Sequence, residues 1–217
     1  MLRPAAALLT ALALTGGAVA EARTVRGNAR ANKLSGTVKN DRIDGRAGDD
    51  RLYGLRGDDR LLGGPGRDRL SGQSGRDTLR GGPDADKLVG GVDADFLDGE
   101  AGLDSLNGGA GDDVLRDTGG DADKMAGGPG DDEIDGGAGN DRLDGGLGQD
   151  TIAGGDGDDT ILAADREHDT IMGGDGDDTI LARDGEEDTI ECGPGNDTVL
   201  VDSEEDGVVD CENVQYP

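Results

Sequence analysis

Along this chain a single aliphatic residue returns every nine positions, and most of what lies between is polar or glycine. Leu52, Leu61 and Leu70 belong to a series that continues through Ile180, Ile190, Val199 and Val208. A lone aliphatic between two outward positions fits a three-residue strand, whose centre points in and whose flanks point out. The six residues before each strand are expected to turn. Two strands and two turns then close one eighteen-residue coil, so repeat n stacks on repeat n+2. The expected fold is all-β, a parallel β-roll (a β-solenoid) of about ten two-strand coils. At about 4.8 Å per coil the body would be on the order of 50 Å long.

Written out, the unit is G-G-x-G-x-D-x-L-x. Clean copies begin at Gly63, Gly108, Gly127, Gly136, Gly145, Gly154 and Gly173, and altered ones at Gly45, Gly54, Gly72, Gly99 and Cys192. Glycine at positions 2 and 4 permits positive φ and leaves the backbone carbonyls unobstructed. Position 6 is aspartate, nine residues apart from Asp50 to Asp113. The register then shifts by single insertions but persists through Asp206. With weaker copies at Asn32 and Asp41 there are twenty consecutive repeats.

Composition sharpens this picture. The chain has 217 residues, 43 of them glycine, with 49 Asp and Glu against 21 Lys and Arg and a net charge of −28. Its aromatics are Phe96, Tyr53 and Tyr216. A chain so polar and charged would be disordered unless a strict period or a bound cation rescued it. The sign of the charge argues against nucleic acid and anionic membranes as partners. The recurring donors are carboxylate and carbonyl oxygens, beside one His and two Cys. Calcium accepts six to eight oxygens in tolerant geometry, whereas magnesium demands a tight octahedron and transition metals favour His or Cys.

The repeat resembles the repeats-in-toxin (RTX, hemolysin-type) nonapeptide of calcium-binding β-rolls over residues 27–210. The resemblance implies several Ca²⁺ ions, each between stacked turns of adjacent coils and held by position-6 carboxylates and turn carbonyls. The implied ligands are Asp50, Asp59, Asp68, Asp77, Asp113, Asp132, Asp141, Asp150, Asp159, Asp178 and Asp197. Asp50 would share an ion with Asp68, Asp59 with Asp77, Asp132 with Asp150, Asp141 with Asp159, and Asp178 with Asp197.

Some turns depart from the pattern. Asp84 and Asp93 replace the position-4 glycine, as Asp121 does. Asp tolerates a left-handed conformation, so these turns are expected to survive. The turns A-D-R-E-H-D, R-D-G-E-E-D and D-S-E-E-D belong to repeats sixteen, eighteen and twenty. They should share one irregular, acidic edge opposite an edge that keeps G-G-D-G-D-D twice. His168 lies in one of them and reads as a surface residue. Thr151, Thr160, Thr170, Thr179, Thr189 and Thr198 occupy position 7 of consecutive repeats. They should form outward ranks, three on each sheet.

The ends carry their own signals. Residues 1–20 read as a secretory signal peptide, with Arg3, the apolar run Ala5 to Leu14, and cleavage after Ala20 or Ala22. Residues 21–26 form a short lead, 27–210 the β-roll and 211–217 a C-terminal cap. Cys192 takes position 1 of repeat nineteen. Cys211 is read at the same position one coil on, after a single insertion. Neighbouring strands place their Cα atoms near 5 Å, which a disulfide requires. Neither H-E-x-x-H nor G-x-S-x-G occurs, and the repeats fill the chain after the leader. The expectation is a secreted, non-catalytic, calcium-binding protein without a transmembrane span, structural or adhesive in role. The alternatives are an ice- or surface-binding solenoid and an accessory domain of a secreted enzyme or toxin system.

Overall fold

A computed structural model describes residues 22–163, 165–183, 185–202 and 207–216. The signal peptide read at residues 1–20 and the position-6 residue Asp206 lie outside them. The described residues form strands and turns with no helix. There are two eleven-stranded parallel sheets. One runs from Thr24–Arg26 to Gly207–Val209, the other from Lys33–Ser35 to Asn213–Gln215. Each strand pairs with those one coil away, as Arg51 does with Arg69 and Leu52 with Leu70. The solenoid is therefore a β-roll, with successive strands alternating between sheets.

The aliphatics at position 8 make the core. From Ile43 to Val199 they stack in two ladders and are at most 2% exposed. Val25, Leu34, Val208 and Val214 are only partly buried, because each has a coil on one side alone. Many strands are six residues long rather than the expected three. In Arg51–Arg56 and Arg69–Ser74, pairing resumes past the glycine, with Leu55 opposite Gln73 and Arg56 opposite Ser74. Positions 2 and 3 thus belong to the sheet, and a tighter segment makes the turn.

Position 1 faces inward. A Cβ placed on Gly45 would stand 2.4 Å from Asp50 Oδ2 and 2.8 Å from the Gly63 carbonyl. That contact leaves room for hydrogen and nothing larger. The exceptions are buried too: Ala163, Ala182 and Val201 begin the irregular repeats sixteen, eighteen and twenty, Cys192 begins repeat nineteen, and Asp117 begins repeat eleven.

Cys192 and Cys211 form a disulfide with Cα atoms 5.2 Å apart. The register differs in detail from the sequence reading. Cys192 N–H donates to Val209 O, which sets Asp210, not Cys211, opposite Cys192. Thr198 then pairs with Asn213, so the last turn has lost three residues instead of gaining one. That shortened turn brings Cys211 beneath Cys192. Opening the bridge should loosen the last strand, which has a neighbouring coil on one side alone, and cost about 3 kcal/mol of stability. Thermal unfolding of the calcium-loaded chain with and without reductant measures this. An unchanged midpoint would assign the bridge no structural part.

Candidate metal centre

The position-6 aspartates fold inward. From Asp41 to Asp197 they are 0–4% exposed, although each belongs to a turn. The reason is a backbone partner. Asp50 N–H donates to Asp68 Oδ1 at 2.7 Å, and Asp59 N–H to Asp77 Oδ1 at 2.7 Å. The contact repeats along both edges to Asp178 N–H on Asp197 Oδ1 at 2.9 Å. Glu212 ends one ladder by accepting from Asp197 N–H at 3.0 Å.

The second carboxylate oxygen is different. In all eleven implied ligands Oδ2 is buried and has no hydrogen-bond partner among the described residues. Leaving a buried carboxylate oxygen unpaired is costly unless a cation meets it. The position-1 carbonyl one coil on lies near the same place, as Gly63 O and Asp50 Oδ2 both do at Gly45, and other glycine carbonyls line the turns. A Cβ on Gly146 would lie 2.1 Å from Gly128 O, and one on Gly148 2.1 Å from Gly130 O. Carbonyls of positions 2 and 4 therefore face the next coil. Both glycines have positive φ, at 111° and 128°.

Burial dominates the electrostatics of these carboxyls. It pushes Asp59, Asp68, Asp113 and Asp178 up to about 6, and Asp77, Asp132, Asp150 and Asp159 up to about 7. Asp50, Asp141 and Asp197 are raised as well. In each the amide hydrogen bond pulls the other way, and neighbouring carboxylates add to the rise. Asp86 and Asp95 reach about 8, with other carboxylates on both sides. The ion-free site therefore resists its own negative charge. A hard divalent cation removes that resistance, and an all-oxygen, carboxylate-rich donor set suits calcium.

Asp84 and Asp93 do keep their turns. They stand at φ 93° and 73°, and each accepts from the position-4 amide one coil back, Gly66 at 3.0 Å and Gly75 at 3.1 Å. Asp169 and Asp188 are buried in the same ladder as the regular aspartates. What their turns lack is the glycine pair, and they carry Ala163 and Ala182 at position 1 instead. His168 is exposed.

Two features escaped the sequence reading. Position 5 forms a second, outward ladder in the opposite direction: Asp58 Oδ1 accepts from Arg76 N–H, Asp131 Oδ1 from Gln149 N–H, and Asp177 Oδ1 from Asn196 N–H, at 3.0–3.1 Å. The recurring D-D doublet was its signal. The other is Asp117, which takes the inward position 1 beside an insertion. Among the described residues, Asp104, Asp117 and Asp123 bring carboxylate oxygens within 4.8 Å of one another, all buried. Asp117 was passed over because it sits outside the nine-residue count.

Comparison with known proteins agrees with this geometry. The RTX calcium-binding nonapeptide repeat model matches seven stretches: residues 26–61, 53–88, 62–97, 80–115, 117–152, 145–165 and 164–199. The chain belongs to the RTX calcium-binding repeat family. No curated protein sequence matches this RTX chain. Among solved structures it is similar to a hyperactive, Ca²⁺-dependent, β-helical antifreeze protein from an Antarctic bacterium. The TM-score is 0.55 at 20% identity, over 92% of this chain and 77% of the other. At that identity the likeness concerns the fold. No helix among the described RTX residues is long and apolar enough to cross a membrane.

Proposed function

We propose that this chain is a secreted, non-catalytic calcium protein whose turns hold ions between stacked coils, and whose role is structural or adhesive. The observation that carries this is the orphaned, buried Oδ2 repeated at the eleven aspartates from Asp50 to Asp197, beside inward-turned glycine carbonyls. These residues would bind the ions. When bound, calcium supplies positive charge that lets the carboxylates ionise inside the roll. A disulfide fits an oxidising, extracellular setting.

The regular edge of the C-terminal half should bind best, because repeats fifteen and seventeen keep both turn glycines. Asp159→Ala and Asp178→Ala are expected to raise the calcium midpoint of folding severalfold. Asp169→Ala and Asp188→Ala, in turns without the glycine pair, should shift it less. Calcium titrations of the four variants by circular dichroism decide the matter, and equal shifts on both edges would remove the asymmetry.

A second reading rests on threonine. Thr151, Thr170 and Thr189 pair in register on one sheet, and Thr160, Thr179 and Thr198 on the other. Such hydroxyl ranks could order water, and the solved neighbour is an antifreeze protein. Each rank is three coils long. Thermal hysteresis that disappears in Thr151→Val/Thr170→Val would establish this reading, and no hysteresis in the calcium-loaded chain would end it.

A further inference from the structure

One face of the roll departs from the acidity of the rest. The strands Lys33–Ser35, Arg51–Arg56, Arg69–Ser74, Lys87–Val92, Ser105–Ala110 and Lys124–Pro129 are consecutive in one sheet and contain no Asp or Glu. In the other sheet, acids recur from Asp44 through Asp98, Glu100, Glu133 and Asp135. The charge of the chain is uneven in the same sense. Residues 1–110 hold 16 Lys and Arg against 16 Asp and Glu, and residues 111–217 hold 5 against 33.

Parallel pairing converts this composition into a line. Lys33, Arg51, Arg69, Lys87, Lys124 and Arg142 all occupy position 7 and pair in sequence, with Ser105 between Lys87 and Lys124. All six cations are exposed. None of the six is in an ion pair among the described residues, unlike Arg76 with Asp58 and Arg80 with Glu100. Strand spacing of about 4.8 Å sets the file at about 29 Å from Lys33 to Arg142. Where Ser105 interrupts it, the short side chain leaves a depression of about 360 Å³. Lys87, Lys124 and Arg142 border it, Asn107 contributes an amide, and Asp144 is its one carboxylate.

Like charges in a row are unfavourable without a partner, and a sequence this acidic had many alternatives for those positions. We infer that this face is a binding site for a linear acidic polysaccharide, laid along the solenoid axis with its carboxylates on the cation file and one acidic sugar in the notch at Ser105. The neighbouring outward positions suit sugars: Ser35, Ser71 and Asn107 offer hydroxyls and an amide beside the file. Nucleic acid fits less well. Tyr53 is the one aromatic on these strands, so there is no stacking platform. The face is a flat sheet and not a helix that could enter a groove.

The test uses the full chain in about 10⁻³ M calcium at low salt, where extracellular modules bind the ion. Hyaluronan oligosaccharides serve as the probe, with a DNA duplex of similar charge as the competitor. Hyaluronan should bind and be released by added salt, because the contacts are exposed charges. Lys87→Gln/Lys124→Gln should weaken binding about tenfold. Arg42→Gln/Arg60→Gln removes the same charge from the opposite sheet and should leave binding within about twofold. Circular dichroism of each variant verifies that the roll is intact. The inference fails if hyaluronan does not bind the folded chain, or if the two variant pairs behave alike, which would mean net charge or calcium bridging. It also fails if DNA binds more tightly through the same lysines, which would make the face a nucleic-acid site.

Discussion

Stripped of calcium near pH 8, the chain is expected to lose its β-structure and expand to the dimensions of an unfolded polymer. Each coil buries two aliphatics, one per repeat, against the ordering of eighteen residues, and that apolar gain does not offset the entropy lost. The turns add a penalty, since carboxylates stacked at strand spacing repel one another and each implied ligand has a buried oxygen without a partner. Calcium answers both problems at once, so binding free energy becomes folding free energy. An unfolded chain of this length has a radius of gyration on the order of 50 Å. Stacked coils about 50 Å end to end would have less than half of that. Scattering and circular dichroism before and after chelation measure the change. A chelated sample with the same β signal and the same radius would end the idea of calcium-driven folding.

Acidification should partly replace the metal. In the ion-free fold burial raises position-6 carboxyls, Asp68 to about 6, Asp77 to about 7 and Asp95 to about 8. Unfolded aspartate titrates near 4. Between those limits the folded chain holds more protons than the unfolded one, so stability falls as pH rises through about 4 to 8. This is opposite in sign to an ion-paired aspartate, whose lowered pKa makes acid destabilising. Calcium-free protein brought from pH 8 to pH 5 is therefore expected to regain β signal. Below about pH 4 no further gain follows, since the unfolded chain is protonated as well. With calcium present the trend reverses, because the ion displaces protons and binds more tightly as pH rises. Circular dichroism over this range, with and without calcium, reads both limbs. Loss of structure on acidifying the calcium-free chain would contradict the electrostatics of the ladder.

Much of the architecture was written in the period. A single aliphatic every nine residues, with glycine and aspartate fixed between, left a parallel solenoid as the arrangement that buries Leu52, Leu61 and Leu70 together and repeats. The calcium chemistry was also legible, because the donors are oxygen and recur with the coil. So was the pairing of Cys192 with Cys211, although the shortened turn that achieves it was not. Counting residues cannot say where a turn absorbs a deletion.

Other facts depended on three dimensions. The inward tilt of the position-6 carboxylates and their amide partners one coil away come from stacking, which no single repeat contains. Asp117 joined Asp104 and Asp123 because position 1 faces the interior, a property set by the Gly45-type contact with the repeat's own aspartate. The cation file was hidden for the same reason. Lys33, Arg51, Arg69 and Lys87 are eighteen residues apart in sequence, diluted among acids, and become neighbours when alternate strands are assigned to one sheet. The sequence determined the period and the ligand chemistry; stacking decided which side chains, eighteen residues apart, share a face.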